Sequence, residues 1–187
     1  MHRNSLLLFE KYARPRFKLD DWILEVGAKR GESEYRKSLE SFRDIPVTGV
    51  EELQYWFCDL SNKGRNLPEF VACTEYSIDE EDGAFDIVLS GQTIEHVRKP
   101  WRWVPELARV TKPGGLVILI SPVTWAVHRH PIDGWRILPD GMAALFEDAG
   151  LTVELLKMES LDESGTDNRY QFHQGFPIDL ISIGRKP

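Results

Sequence analysis

Apolar runs without polar alternation recur along this chain, beginning with WILEVG (Trp22–Gly27) and clearest in GLVILIS (Gly115–Ser121). A strand with one wet face alternates apolar and polar residues, because successive side chains point to opposite sides. A continuous apolar run belongs instead to a strand covered on both faces, the condition of a mostly parallel sheet packed between helices. Further runs of this kind are LQYWFCDLS (53–61), EFVACTEYS (69–77), Phe85 to Leu89 after the turn in EDGAFDIVLSG, LTVELLKM (151–158) and PIDLISIG (177–184).

Between them lie stretches with helical spacing. Asn4 or Ser5 is placed to cap a short helix carrying Leu8, Phe9 and Tyr12, stopped before Pro15. Tyr35, Leu39 and Phe42 predict a helix over 32–42. Trp101, Val104, Leu107, Ala108 and Thr111 share one face of another, ended by TKPGG. Met142, Leu145, Phe146 and Ala149 mark a last helix, closed by Gly150. The polar segment 160–175 has loop composition. Strands alternating with helices predict an α/β three-layer sandwich in a single domain, 1–187, with 1–20 as an N-terminal lead-in.

Bulk properties narrow the function. A net charge of −7 argues against general binding to a nucleic-acid backbone. Cys58 and Cys73 lie in no metal-ligand spacing and read as thiols in or beside buried strands, which fits a reducing compartment. The only early apolar run, Leu6 to Phe9, is too short for a secretory signal or a membrane span, so the expected location is the cytoplasm.

In sheets of this class ligands bind outside the carboxyl ends of the strands. After the first strand comes EVGAKRG (25–31), where Gly27 either adopts a backbone conformation closed to other residues or lets a ligand approach the main chain. After the second comes Asp59, an acid suited to a ribose diol; Glu51 is its rival if PVTGV were the strand instead. After the fourth comes SGQTIEH (90–96), in which Glu95 and His96 are neighbours that do not face each other on a helix. After the fifth comes a long loop, 121–138, rich in Trp, His and Arg, of the kind that contacts an acceptor. In it Trp125 and Trp135 pack the loop and His128, Arg129, His130 and Arg136 offer polar groups. Asp133 either serves chemistry or pairs with Arg136 to shape the loop, and His128, His130 and Asp133 fall short of a metal-site pattern, so no metal is expected.

Four stretches resemble one family. ILEVGAKRG, FDIVLSGQTIEHV, ARVTKPGGLVILISP and HRHPIDGWRILPDGMAALFEDAGL are similar to motifs of the class I S-adenosylmethionine-dependent methyltransferases, in the type 11 methyltransferase-domain group. The last of these resembles a bacterial subgroup often found near glycosyltransferases. The resemblance implies a Rossmann-like, seven-stranded sheet of order 3-2-1-4-5-7-6 with the last strand antiparallel. It implies S-adenosylmethionine as cofactor and S-adenosylhomocysteine as product. It places Glu25, Gly27, Ala28 and Gly31 around the amino-acid part of the cofactor and Asp59 on the ribose, in preference to Glu51. It places Thr74 and Glu75 beside the adenine, and Ser90 and Gln92 on the methionine side. Lys29 stands where the family usually has a glycine, and Thr74 where it often has an acid.

The activity implied is methyl transfer to a small molecule, sugar or lipid-linked glycan. The donor is a reactive sulfonium, so the protein mainly supplies alignment and, for a hydroxyl acceptor, a base. His128 is the expected base, chosen over His96 and His130, with Asp133 or Glu95 as substitutes. A non-catalytic binding module on the same fold is the second reading. A nicotinamide dehydrogenase is the third, and the absence of GxGxxG speaks against it.

Overall fold

The computed structural model describes residues 3–18, 20–28, 33–41, 54–59, 69–162 and 177–187. The expectations for Lys29, Gly31, Glu51, Phe42 and most of the 160–175 loop lie outside these residues.

Among the described residues the sheet has six strands: β1 (Ile23–Val26), β2 (Tyr55–Cys58), β5 (Phe85–Gly91), β6 (Thr111–Pro122), β7 (Thr152–Glu159) and β8 (Asp179–Arg185). Their order is β2-β1-β5-β6-β8-β7. β1, β2, β5 and β6 run parallel, and β8 lies antiparallel between β6 and β7. In the inner strands the apolar runs are continuous for the reason inferred from sequence, whereas β7, at the edge of the sheet, is mostly exposed and does not share that cover. In β6, Leu116, Ile118 and Ile120 pack into one core layer while Val117 and Leu119 pack into the other. The first layer is closed by α1 (Arg3–Leu8), the π turn Phe9–Ala13 and α2 (Glu34–Glu40); the second by α3 (Pro100–Val110) and α4 (Pro139–Asp148).

One strand of the expected seven does not join the sheet. In EFVACTEYS only Phe70 reaches β2, through a single parallel bridge to Phe57. The chain then turns back on itself, so that β3 (Cys73–Thr74) pairs antiparallel with β4 (Ser77–Ile78) in a separate hairpin. Polar Thr74, Glu75 and Ser77 follow too closely on the apolar residues to sustain a strand covered on both faces. The predicted order is otherwise retained, with its third place marked by one bridge.

The N-terminal helix also differs in detail. Asn4 and Ser5 lie inside α1 and are fully buried, so neither is its cap. The Asn4 amide donates to Asp179 Oδ2 at 2.6 Å and to the Glu159 carbonyl at 3.1 Å, and its carbonyl accepts from Leu161 N–H at 2.6 Å. This straps the N-terminal segment across the ends of β7 and β8. Pro15 does not stop the helical stretch, which continues as a 3-10 turn, Arg14–Arg16, because proline fits the first positions of such a turn. In α3 it is Trp103, with Val104, Leu107 and Ala108, that is buried, while Trp101 is half exposed and meets Trp135 edge-on.

Candidate functional site

The carboxyl ends of β1, β2 and β5 open into a cleft of about 870 Å³. Among the predicted residues Glu25, Gly27, Ala28, Asp59, Thr74, Gln92 and His128 line it. Ser90, Glu75 and Asp133 do not.

At the end of β1, Gly27 has φ +92, a conformation that L side chains rarely adopt. A Cβ there would stand 2.9 Å from Thr93 Cγ2 and nearer still to Thr93 Oγ1. Of the two roles open to Gly27, the structure therefore shows the conformational one: glycine is required by the backbone and by Thr93 packed across it. Gly27 N–H donates to the Cys58 carbonyl at 2.8 Å, which joins the β1 and β2 ends. Ser90 turns its hydroxyl into the sheet, donating to the Val26 carbonyl at 2.7 Å, and so braces the loop from behind.

Glu25 points to the α1–α2 side of β1 with 6% of its surface exposed, and its carboxylate accepts from the Tyr55 hydroxyl. Burial pushes its carboxyl up to about 7, against the opposing pull of hydrogen bonds from Ser33 and Tyr55 and of the Arg36 charge. Ser33 also caps α2, its hydroxyl accepting from Arg36 N–H at 3.1 Å. Gly91, at the end of β5, lies against Tyr35 of α2; a Cβ would meet the ring at 2.6 and 2.7 Å. Tyr35 read from sequence as a core residue only, yet it and Gly91 line the cleft. No local pattern marks such a pairing, because it joins a helix to a strand fifty-odd residues away.

Gln92 has φ +55, is held by its N–H on the Ile120 carbonyl at 2.8 Å, and donates its side-chain amide to Asp179 Oδ1 at 3.1 Å. Asp179 thus links Gln92 to Asn4. Thr74 is exposed at the rim in β3. Glu75 is drawn away, its carboxylate accepting from Arg98 N–H at 2.7 Å. Cys58 and Cys73 are both free and both border the cleft; a hydrogen bond between them raises the Cys58 thiol and lowers that of Cys73.

Opposite the glycine loop stand the histidines. Loop 121–138 docks on the short helical turn Ile94–His96: Gly134 N–H donates to the Glu95 carbonyl at 2.8 Å and Trp135 Nε1 to the Val97 carbonyl at 2.8 Å. Asp133 is the pair-former of the two roles considered for it. Its side chain is fully buried, meets Arg136 at 2.5 and 2.8 Å through both oxygens, and accepts from His128 N–H at 2.8 Å. Burial raises its carboxyl, but the Arg136 hydrogen bond, the His128 N–H and the Arg136 charge together outweigh burial and hold it at about 2, so it is not a proton acceptor at neutral pH. His128 is shifted below the ordinary imidazole value, chiefly by burial. Its Nδ1 lies 3.1 Å from the Ala126 carbonyl and 3.3 Å from Asp133, which assigns the ring proton to Nδ1 and leaves Nε2 as the basic atom. His96, His130 and Trp125 also line this wall. Glu95, beneath them, is fully buried, and burial pushes its carboxyl up to about 8.

Comparison with known proteins agrees with this architecture. The methyltransferase domain profile matches residues 24–119, just over half of the chain. A protein of Mycolicibacterium gilvum named as a methyltransferase is 46% identical over 56 residues, which cover 30% of this chain and 22% of that protein. The chain thus spans about a fifth of the length of the curated relatives it matches. A structure of the complex between the Haloferax volcanii Trm112 methyltransferase activator and a methyltransferase superposes with a TM-score of 0.67 at 20% identity, covering 98% of this chain and 90% of that one. The Haemonchus contortus phosphoethanolamine N-methyltransferase 2, solved with phosphomonomethylethanolamine and S-adenosylhomocysteine, gives 0.66 at 14% identity, covering 98% and 52%. At such identities the structural likeness speaks for the fold, a Rossmann-like mostly parallel sheet with one antiparallel strand. Among the described residues no helix is long and apolar enough to cross a membrane. By the profile match over its first strand, glycine loop and strands β2 to β6, the chain belongs to the methyltransferase domain family.

Proposed function

We propose that this chain transfers a methyl group from S-adenosylmethionine to a hydroxyl of a small molecule, sugar or lipid-linked glycan. The observation that carries the reading is the opposition, across one cleft, of a nucleoside-type wall (Gly27, Ala28, Asp59) and a histidine wall (His96, His128, His130). On the first wall Glu25 receives the α-ammonium of the donor, Gly27 and Ala28 line its amino-acid part together with Gly31, and Asp59 takes the ribose hydroxyls. Thr74 borders the adenine, and Gln92 is held toward the methionine side by Asp179. On the second, His128 draws off the acceptor proton as the oxygen takes the methyl, leaving a methyl ether, the thioether and a proton. Proximity and exclusion of water supply the remainder. Asp133 is a positioning residue for His128, and Ser90 and Glu75 support the loop and the hairpin without touching the donor.

Calorimetry with S-adenosylhomocysteine tests the donor half. Saturable binding of a single equivalent is expected; no heat at millimolar ligand rejects the reading in favour of a non-catalytic module. The acceptor half is tested with methyl-labelled donor against panels of glycans and small hydroxyl compounds. On any acceptor so found, His128→Ala is expected to lower kcat by about 10²- to 10⁴-fold while S-adenosylhomocysteine affinity stays unchanged. Unaltered turnover would remove His128 from the mechanism.

A further inference from the structure

The carboxylate of Glu95 is fully buried, and neither of its oxygens has a hydrogen-bond partner among the described residues. An uncompensated buried carboxylate is among the costlier features a fold can carry. Two imidazole nitrogens approach it: His96 Nε2 lies 3.7 Å and His128 Nε2 3.9 Å from Glu95 Oε1. The three ligating atoms all lie within 4.8 Å of one another.

The far side of each ring decides what these nitrogens can do. His96 Nδ1 lies 2.6 Å from the Ile132 carbonyl, and His128 Nδ1 lies on the Ala126 carbonyl beside Asp133. A carbonyl only accepts, so each Nδ1 carries a proton, and Nε2 is the ring atom that each histidine leaves nearest the Glu95 carboxyl. Two such nitrogens and a buried carboxyl brought to one point need a proton or a metal cation between them. The outer contacts are also those of a metal-binding histidine, whose second nitrogen donates to a backbone carbonyl or a carboxylate.

We propose that Glu95, His96 and His128 form a binding site for a divalent transition metal ion of the zinc class, open on the side of the cleft. Two imidazoles and one carboxylate are a ligand set that suits such an ion and leaves a further position for an oxygen. Bonds of the usual length set tetrahedral ligands about 3.4 Å apart; the carboxylate–imidazole separations of 3.7 and 3.9 Å are close to this, and the two imidazole nitrogens, within 4.8 Å of each other, draw together as the ion binds. Asp133, fixed by Arg136, then holds His128 from behind. The ion's role rests on the methyltransferase reading: an acceptor hydroxyl bound at the open position would lose its proton to water more readily. In this arrangement His128 acts through the ion. The binding itself does not depend on that reading, and the absence of a metal pattern in the sequence reflects that Glu95 and His96 come from a different segment than His128.

The test uses the full chain, stripped with a chelator and titrated with Co²⁺, whose visible absorption reports nitrogen and oxygen coordination, then with competing Zn²⁺. Expected are saturation at a single equivalent, displacement by Zn²⁺, and binding weakened at least about 100-fold in His96→Ala and in Glu95→Gln, with His130→Ala unchanged. Variants are compared only where circular dichroism of the stripped protein matches the wild type; His96→Gln replaces one that fails. No saturable binding, or equal binding in Glu95→Gln and His96→Ala, overturns the site and leaves a shared proton as what reconciles the three groups. S-adenosylhomocysteine calorimetry on the same stripped sample keeps the two proposals apart. Cofactor binding together with a failed metal titration rejects only the metal site, and saturable metal binding together with no cofactor binding rejects only the methyltransferase.

Discussion

Gly27→Ala is expected to lower S-adenosylhomocysteine affinity by about 100-fold, some 2.7 kcal/mol, and to destabilise the fold by about 2 kcal/mol. Two separate effects add. At φ +92 any side chain is strained. The new Cβ also enters Thr93, whose Cβ and Cγ2 lie 3.1 and 2.9 Å away. Rotating Thr93 does not remove the conflict, because its β-branch always leaves one heavy atom on that side and the hydroxyl has the Gly91 carbonyl at 3.2 Å to keep. The loop must therefore move, and with it the Cys58–Gly27 link that sets Asp59 and the β1 end side by side. The double variant Gly27→Ala, Thr93→Ala removes the two closest contacts, leaves the residue 93 Cβ at 3.1 Å and keeps the dihedral strain, so it should recover part of the loss. Calorimetry and urea unfolding on the three proteins measure both quantities. A Gly27→Ala protein with wild-type affinity would mean that the loop does not hold the donor.

Stability is expected to fall as pH rises from about 4.5 to 7, through a contribution that Glu25→Gln abolishes. The sign follows from proton counting. Between its ordinary value, near 4.5, and its folded value of about 7, Glu25 is protonated in the folded chain and ionised in the unfolded one. The folded state binds more protons there, so each step up in pH favours unfolding; above 7 the contribution is flat. At about 1.4 kcal/mol per pH unit the whole effect approaches ~3 kcal/mol. Glu95, also raised by burial, contributes a fall over an overlapping range, while Asp133, with its lowered value, contributes only below about pH 4, so the readout is the difference between wild type and Glu25→Gln in urea titrations from pH 5 to 8. Parallel profiles would show that Glu25 is ionised in the folded protein across this range. The same group links the donor to pH. An ammonium placed beside Glu25 favours the carboxylate, so S-adenosylhomocysteine binding should release a proton below pH 7 and tighten as pH 7 is approached. Glu25→Gln should bind more weakly and without that slope.

The glycine-loop wall of the cleft was more legible than the histidine wall for a physical reason. Glu25 lies near the end of β1 and Gly27, Ala28, Asp59 and Gln92 each follow a strand, and the topology of a parallel sheet brings strand ends to one edge whatever the loops do. Ser90 and Glu75 also lie at strand ends, but which way a side chain turns there depends on the hydrogen-bond partner it finds: the Val26 carbonyl for Ser90, the Arg98 N–H for Glu75. Asp133 shows the same dependence. Its spacing from Arg136 allowed either a free acid or an ion pair, and the fold buries it with the pair formed.

The sequence by itself determined the layered architecture and the edge of the sheet where the cleft opens, through periodicity and apolar runs, and the family, through the resemblance of four motif stretches. All of these are local properties of the chain. Only the tertiary structure decided that the third strand shrinks to a bridge and a hairpin, and that Asn4 faces Asp179 rather than capping a helix. It also decided that Tyr35 closes on Gly91, and that Glu95, His96 and His128 converge. Each of these joins residues whose meeting is set by how a helix or loop seats on the sheet, and whose cost or gain comes from desolvation, which exists only once the core has closed.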